Sequence, residues 1–137
     1  MQDIDSLSAL TRRLRIHILE ATTQAGSGHL TSSLSAVELM TVLMFGGHFR
    51  SFIDNPKHPD NDRLIFSKGH AAPLLYSLWA VAGAFPTEEL LTLRSFGSRL
   101  EGHPTMAFPY TEAPTGSLGQ GLSVGLGMAL NAQYLDK

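Results

Sequence analysis

Four of the six histidines in the chain directly follow a glycine, and three of these pairs carry the argument: Gly28-His29, Gly69-His70 and Gly102-His103. An imidazole can donate and accept hydrogen bonds and changes charge near neutral pH. A glycine before it lets the backbone take a positive φ or come close to a neighbour. Each pair falls at a junction between predicted elements, so the pattern is read as polar rings gathered around a ligand. His70 has the sharpest local setting, between the end of a predicted strand and the start of a helix. Free backbone N–H groups and the helix dipole favour an anion there, phosphate above all, and Lys68 adds positive charge. The plainer alternative is that His70 caps its helix. A zinc site from His29, His70 and His103 is a weaker reading, because no two of them have the close spacing of ligands in a metal motif. His17 reads as a satisfied, half-buried residue on a helix, and His48 and His58 sit in loops with no role assigned.

The second informative feature is Thr115-Gly116-Ser117-Leu118-Gly119-Gln120-Gly121, a glycine-rich turn entering a helix. It lacks the lysine of a P-loop and the glycine spacing of the dinucleotide fingerprint. It is read as a loop whose backbone can touch a ligand. The chain has no G-x-S-x-G nucleophile elbow and no cysteine. Beyond the turn, Ser117, Gly121, Gly125 and Ala129 form a small-residue stripe, with Leu118, Leu122, Leu126 and Leu130 beside it. Each interior helix glycine costs about 1 kcal/mol relative to alanine. Two on one stripe imply a close neighbour: another element at Gly125, and packing or a ligand with equal weight at Gly121.

The elements that must position these residues follow from periodicity. Ile4, Leu7, Leu10, Leu14, Ile18 and Ala21 recur three and four apart, so residues 4 to 25 read as an amphipathic helix ending at Gly26-Ser27-Gly28. Ser35 and Glu38 read as a capping box for a helix over 36 to 46, apolar on nearly every face and expected to be buried. A polar loop runs from Phe52 to Asp62. Arg63 to Ser67 reads as a buried strand, followed by an apolar helix over 71 to 82 with Pro73 in its first turn. Thr87 opens a short helix to about Arg94, residues 95 to 114 read as irregular, and the last helix covers 117 to 134. A strand among helices suggests a slice of an α/β fold, whose ligands lie beyond the carboxyl ends of its strands.

Composition sets the outer bounds. With 137 residues the chain is one domain at most, and 43% apolar residues suffice for a core. The formal charge of −2 comes without runs of like charge, which argues against nucleic acid and anionic membranes as partners. Met1 to Leu7 carries no secretory signal and no apolar stretch is long enough to span a bilayer. The expectation is a soluble, globular, cytoplasmic protein.

Four blocks resemble the transketolases in order and spacing, from about residue 10 onward. They are Ser27-Gly28-His29 with Ser33 to Glu38, then Asn61 to Ala72, then Glu101-Gly102-His103-Pro104, then Thr115 to Gly121. The wording Ser-Lys-Gly-His-Ala-Ala and Thr-Gly-Ser-Leu-Gly-Gln-Gly is most similar to the animal-type branch. The resemblance implies an α/β thiamine diphosphate-binding fold, partial here and mostly helical with few parallel strands, with residues 1–137 as its amino-terminal part. It implies that Ser32 and His70 help hold the cofactor diphosphate. Gly116, Ser117 and Leu118 would lie along its aminopyrimidine and thiazolium. His29 and His103 would lie near the reactive carbon and bind the donor sugar. The implied reaction moves a two-carbon ketol unit between ketose and aldose phosphates. Leu30 departs from the proline common after the histidine, which changes little.

The larger departure is that the family's Gly-Asp-Gly magnesium motif does not occur in these residues. The resemblance therefore implies thiamine diphosphate with magnesium, the magnesium ligands lying outside this chain. It also implies partners in the form of a second copy or a complementary transketolase chain, and an isolated chain that is inactive. The alternatives are a non-catalytic remnant or interaction subunit, and another thiamine diphosphate enzyme such as deoxyxylulose phosphate synthase.

Overall fold

A computed structural model describes residues 3–135. The first helix, α1, spans Ile4–Gln24, capped at its start by the Asp3 carboxylate accepting from the Ser6 N–H at 2.8 Å. It ends in a Schellman turn. The Gly26 N–H donates to Thr23 O and the Ser27 N–H to Thr22 O, with Gly26 at φ 57°. Two short helices follow, α2 (Leu30–Leu34) and α3 (Val37–Phe45). A 3-10 turn at Gly69–Ala71 leads into α4 (Ala72–Val81), with Pro73 in its first turn. A second 3-10 turn covers Thr87–Thr92, and α5 spans Gln120–Tyr134.

The core is built around α4. Every residue from Ala72 to Ala80 is buried, because α1, α2, α3 and the second 3-10 turn all pack against this helix. From α1 come Leu14, Ile18 and Ala21, and from α3 come Val37 and Met40. The irregular stretch 95–114 closes the other side with Leu100 and Phe108. The Phe108 ring meets Tyr76 and Phe85 at centroid distances of 4.9 and 5.7 Å. Trp79 stacks on Tyr110 at 4.4 Å, and the Tyr110 hydroxyl ties the 46–62 loop by donating to Ile53 O. That loop is also braced by Asn61, which accepts from Phe52 N and donates to Asn55 O.

Four expectations need correction. The segment Arg63–Ser67 forms no strand, and none is formed among the described residues. A strand is defined by its partner's ladder, and here the polar groups go elsewhere: Phe66 O accepts from Thr115 Oγ1, and Ser67 N donates to Ile65 O. The mostly helical character holds, while the few parallel strands are not met within these residues. The capping box at Ser35 and Glu38 is not made either. Ser35 ends α2 in a right-handed helical conformation, so its hydroxyl donates back to Ser32 O, and Glu38 pairs with Arg15. Third, α3 is buried on one face only, leaving Leu39 72% exposed. Fourth, α5 starts at Gln120 rather than 117, after Gly119 at φ 91°. The helix α2 was not legible in the apolar pattern.

Candidate functional site

The local chemistry of the three Gly-His pairs differs, although in all three the glycine faces protein. A Cβ on Gly69 would lie 2.5 Å from the Thr115 carbonyl and 2.7 Å from the Gly116 nitrogen. The backbone of the 115–116 loop therefore presses directly on the 3-10 turn that carries His70. A Cβ on Gly102 would lie 3.1 Å from the Arg94 guanidinium. Gly28 alone combines a positive φ, 131°, with crowding, against the Thr22 methyl.

These local packings bring the histidines together. The His29 and His70 rings lie 4.7 Å apart between centroids, edge to face, as do His70 and His103, and His29 and His103 are 6.1 Å apart. Gly116 completes the group: a Cβ there would lie 3.0 Å from Cδ2 of His103. Thus residues far apart in the chain, at 29, 70, 103 and 116, border one region. The Nδ1 of His70 is buried without a hydrogen-bond partner. His70 does not cap α4, whose N-cap is Ala71 without a side-chain cap bond.

Three anchors hold the rings, and sequence reasoning missed all of them. The Tyr76 hydroxyl donates to Glu101 O at 2.9 Å and to His103 O at 3.3 Å, fastening the third pair to α4. Burial, with the Glu101 charge beside it, pushes the Tyr76 phenol far above its ordinary range, so it stays a neutral donor. The Thr115 hydroxyl donates to Phe66 O at 2.7 Å, fixing the glycine loop to the segment before His70. Arg94 lies over Gly102. The signal for Tyr76 was available: a hydroxyl in a helix buried all round needs a partner.

His103 titrates below the ordinary histidine value. Burial is the first cause, followed by the neighbouring His70 and His29 and then Arg94. Its ring is therefore neutral at neutral pH, able to donate at one nitrogen and accept at the other.

The remaining expected residues are less central. Ser32 lies half-buried in α2, which packs on the 69–71 turn, and its carbonyl accepts from Ser35. Ser117 and Leu118 are exposed in the turn before α5. The Lys68 ammonium donates to Ser35 Oγ at 2.7 Å, tying it to the end of α2. His17 is half-buried 3.6 Å from Glu20, but its Nε2 is buried without a partner, so it is not fully satisfied. Among the described residues no group of three or more His, Asp or Glu side chains is arranged to hold a metal ion, which removes the zinc reading.

Gly121 meets protein as well. A Cβ there would lie 2.5 Å from Ser67 Cβ and 2.6 Å from its Cα, so the weight falls on packing rather than on ligand approach.

Comparison with known proteins supplies the family. The pattern of the family described as "Transketolase, thiamine diphosphate binding domain" matches residues 6–137. The transketolase of Pongo abelii is 51% identical over 136 residues, 99% of this chain and 22% of that protein. An apulose-4-phosphate transketolase subunit of Phocaeicola vulgatus is 39% identical over 134 residues, 98% of this chain and 47% of that protein. Among solved structures, the transketolase from Leishmania mexicana superposes with a TM-score of 0.84 at 29% identity, over 90% of this chain and 18% of that one. That from Campylobacter jejuni gives 0.81 at 34% identity, over 88% and 19%. The chain spans about a fifth of the length of the mammalian relatives it matches. By the extent of these matches, the chain belongs to the transketolase family through its thiamine diphosphate-binding domain.

Proposed function

We propose that these residues form one side of a thiamine diphosphate site that serves ketol transfer between ketose and aldose phosphates. The observation that carries the proposal is the convergence of the His29, His70 and His103 rings with the Gly116 loop. A diphosphate oxygen is a fitting acceptor for the His70 imidazole, with Ser32 on the adjoining α2 as a second donor. The loop of Gly116, Ser117 and Leu118 offers backbone and an apolar side chain to a flat heteroaromatic ring. Thiamine diphosphate, when bound, supplies the electron sink for breaking and making the carbon–carbon bond. The protein's share is to bind, orient and exchange protons. A neutral His103, with His29 beside it, is suited to hold the hydroxyls of a donor ketose.

Magnesium does not fit these residues. It requires hard oxygen ligands, Gly-Asp-Gly is absent from the sequence, and no metal-holding group occurs among the described residues. The proposal places its ligands on other residues, on a second copy or on a complementary chain. That one relative is named as a subunit supports the last of these.

The test is calorimetric titration of thiamine diphosphate with magnesium, with and without a chain carrying Gly-Asp-Gly. The isolated 137 residues are expected to bind more weakly than about 1 μM, roughly −8 kcal/mol. With the second chain, affinity rises, transfer from a ketose phosphate to an aldose phosphate appears, and His70→Ala lowers cofactor affinity at least tenfold. Unchanged affinity in His70→Ala would sink the reading.

A further inference from the structure

Arg94 has a positive φ, 59°, unique among non-glycine residues of the described chain. In that conformation Cβ crowds the backbone, so a side chain there persists only where its surroundings hold it. The holder is visible: the Arg94 N–H donates to the carbonyl of the fully buried Leu100 at 2.8 Å. The bend turns the arginine back along its own chain, and its guanidinium lies over Gly102. A Cβ at Gly102 would meet Arg94 Cζ and Nε at 3.1 Å and Nη2 at 3.4 Å. The glycine before His103 thus makes room for a cation.

Of the seven arginines, Arg15, Arg63 and Arg99 form ion pairs, with Glu38, Glu112 and Glu89, whereas Arg12, Arg13, Arg50 and Arg94 form none with the described residues. Arg94 differs from those other three in its left-handed backbone and in lying over a glycine. Its backbone strain and its packing both serve one outcome, a fixed positive charge next to His103.

We propose that Arg94 is a positioning residue for His103: its guanidinium, laid over Gly102, shapes the Gly102-His103 turn and keeps a permanent cation beside the ring. A cation there opposes a second positive charge on the imidazole. The groups facing His103 are His29 ahead of α2, His70 in the 3-10 turn and Arg94, while Tyr76 from α4 binds its carbonyl. All three charged or chargeable neighbours act in the same direction, and Arg94 is the one whose charge does not change with pH. The ring so held is a neutral hydrogen-bonding partner. The meaning of that for ketose binding rests on the role proposed for His103 above, while the coupling between the two residues does not.

The experiment is an NMR-detected titration of the His103 imidazole in the whole chain, in the parent and in Arg94→Lys, Arg94→Gln and Arg94→Gly. The midpoint should rise in the Gln and Gly variants and stay at the parent value in the Lys variant. Thermal unfolding should occur higher in Arg94→Gly than in Arg94→Gln, since both lose the guanidinium but only glycine takes this φ without strain. One midpoint shared by all four proteins would overturn the proposal. So would a midpoint that moves in Arg94→Lys as far as in Arg94→Gln, since the retained charge would then not be what the ring feels. An Arg94-dependent shift, together with unchanged cofactor affinity of His70→Ala in the presence of the Gly-Asp-Gly chain, would sink the functional reading and support this one.

Discussion

The helices α4 and α5 are both rich in apolar residues, and each is entered from one half of the candidate site. The 3-10 turn of His70 feeds α4, and the loop of Gly116 feeds α5. Yet α4 is buried from Ala72 to Ala80, whereas α5 buries only Gly121 and leaves Leu122 and Leu126 78% and 60% exposed. The difference lies in neighbours rather than in hydropathy. Helix α4 is surrounded by α1, α2, α3 and the 87–92 turn. Helix α5 sits against Ile65 and Ser67 through its small-residue stripe, with its leucines turned away. Apolar content states what a helix can bury, and the small residues state where something already lies against it.

The largest effect should come from comparing one leucine in each helix. Leu78, fully buried in α4, should cost about 2–5 kcal/mol when changed to alanine, the range for cavity formation in a core. Leu122→Ala in α5 should stay within about 0.5 kcal/mol, as for exposed sites. Urea unfolding of both variants measures this. A loss above about 2 kcal/mol for Leu122→Ala would mean that the stripe is covered in solution, and the contrast would fail.

Next in size is a comparison inside α5. The β-carbon added by Gly121→Ala would enter the space of the Ser67 backbone and side chain, so overpacking should cost about 1–3 kcal/mol. Gly127→Ala meets nothing within 4 Å and should gain up to about 1 kcal/mol from helix propensity. If hydrogen exchange found α5 equally protected in both variants, Gly121 would not be the contact that seats the helix.

These contrasts also show what the sequence could and could not reveal. The grouping of His29, His70 and His103 was legible because each follows a glycine at a junction between elements, whereas Gly47-His48 carries the same pair without joining the group. Helix α1 was legible from its apolar period and its terminal Gly26. The strand at Arg63–Ser67 was misread because a short apolar run does not specify a partner, and within these residues it packs against α5 and Thr115 instead. The exposure of Leu39 and the leucine stripe was hidden for the same reason: burial is a property of what lies opposite. The left-handed turn at Arg94 carries no local signature, since its cause is Leu100, farther along the chain.

The smallest expected effect separates the anchored half of the site from the loop half by pH. His103, fastened through its carbonyl to Tyr76 of α4, has a folded-state pKa below the ordinary value of 6.5. As pH falls through that ordinary value, the unfolded chain takes up the proton first, so stability declines. Once pH passes below the folded value both states are protonated and this contribution is fully lost. Stability from His103 is thus present above the unfolded pKa and disappears on acidification, amounting to a small fraction of the total. Urea midpoints of the parent and His103→Gln, followed from neutral to mildly acidic pH, should diverge, with the parent falling more steeply. Gly119→Ala, in the loop half, should leave that slope untouched even where it lowers stability, because a side chain at φ 91° adds strain but no proton. Parallel curves for parent and His103→Gln would mean that the ring is as free to ionise as in the unfolded chain, and that the α4 side does not enforce its neutrality.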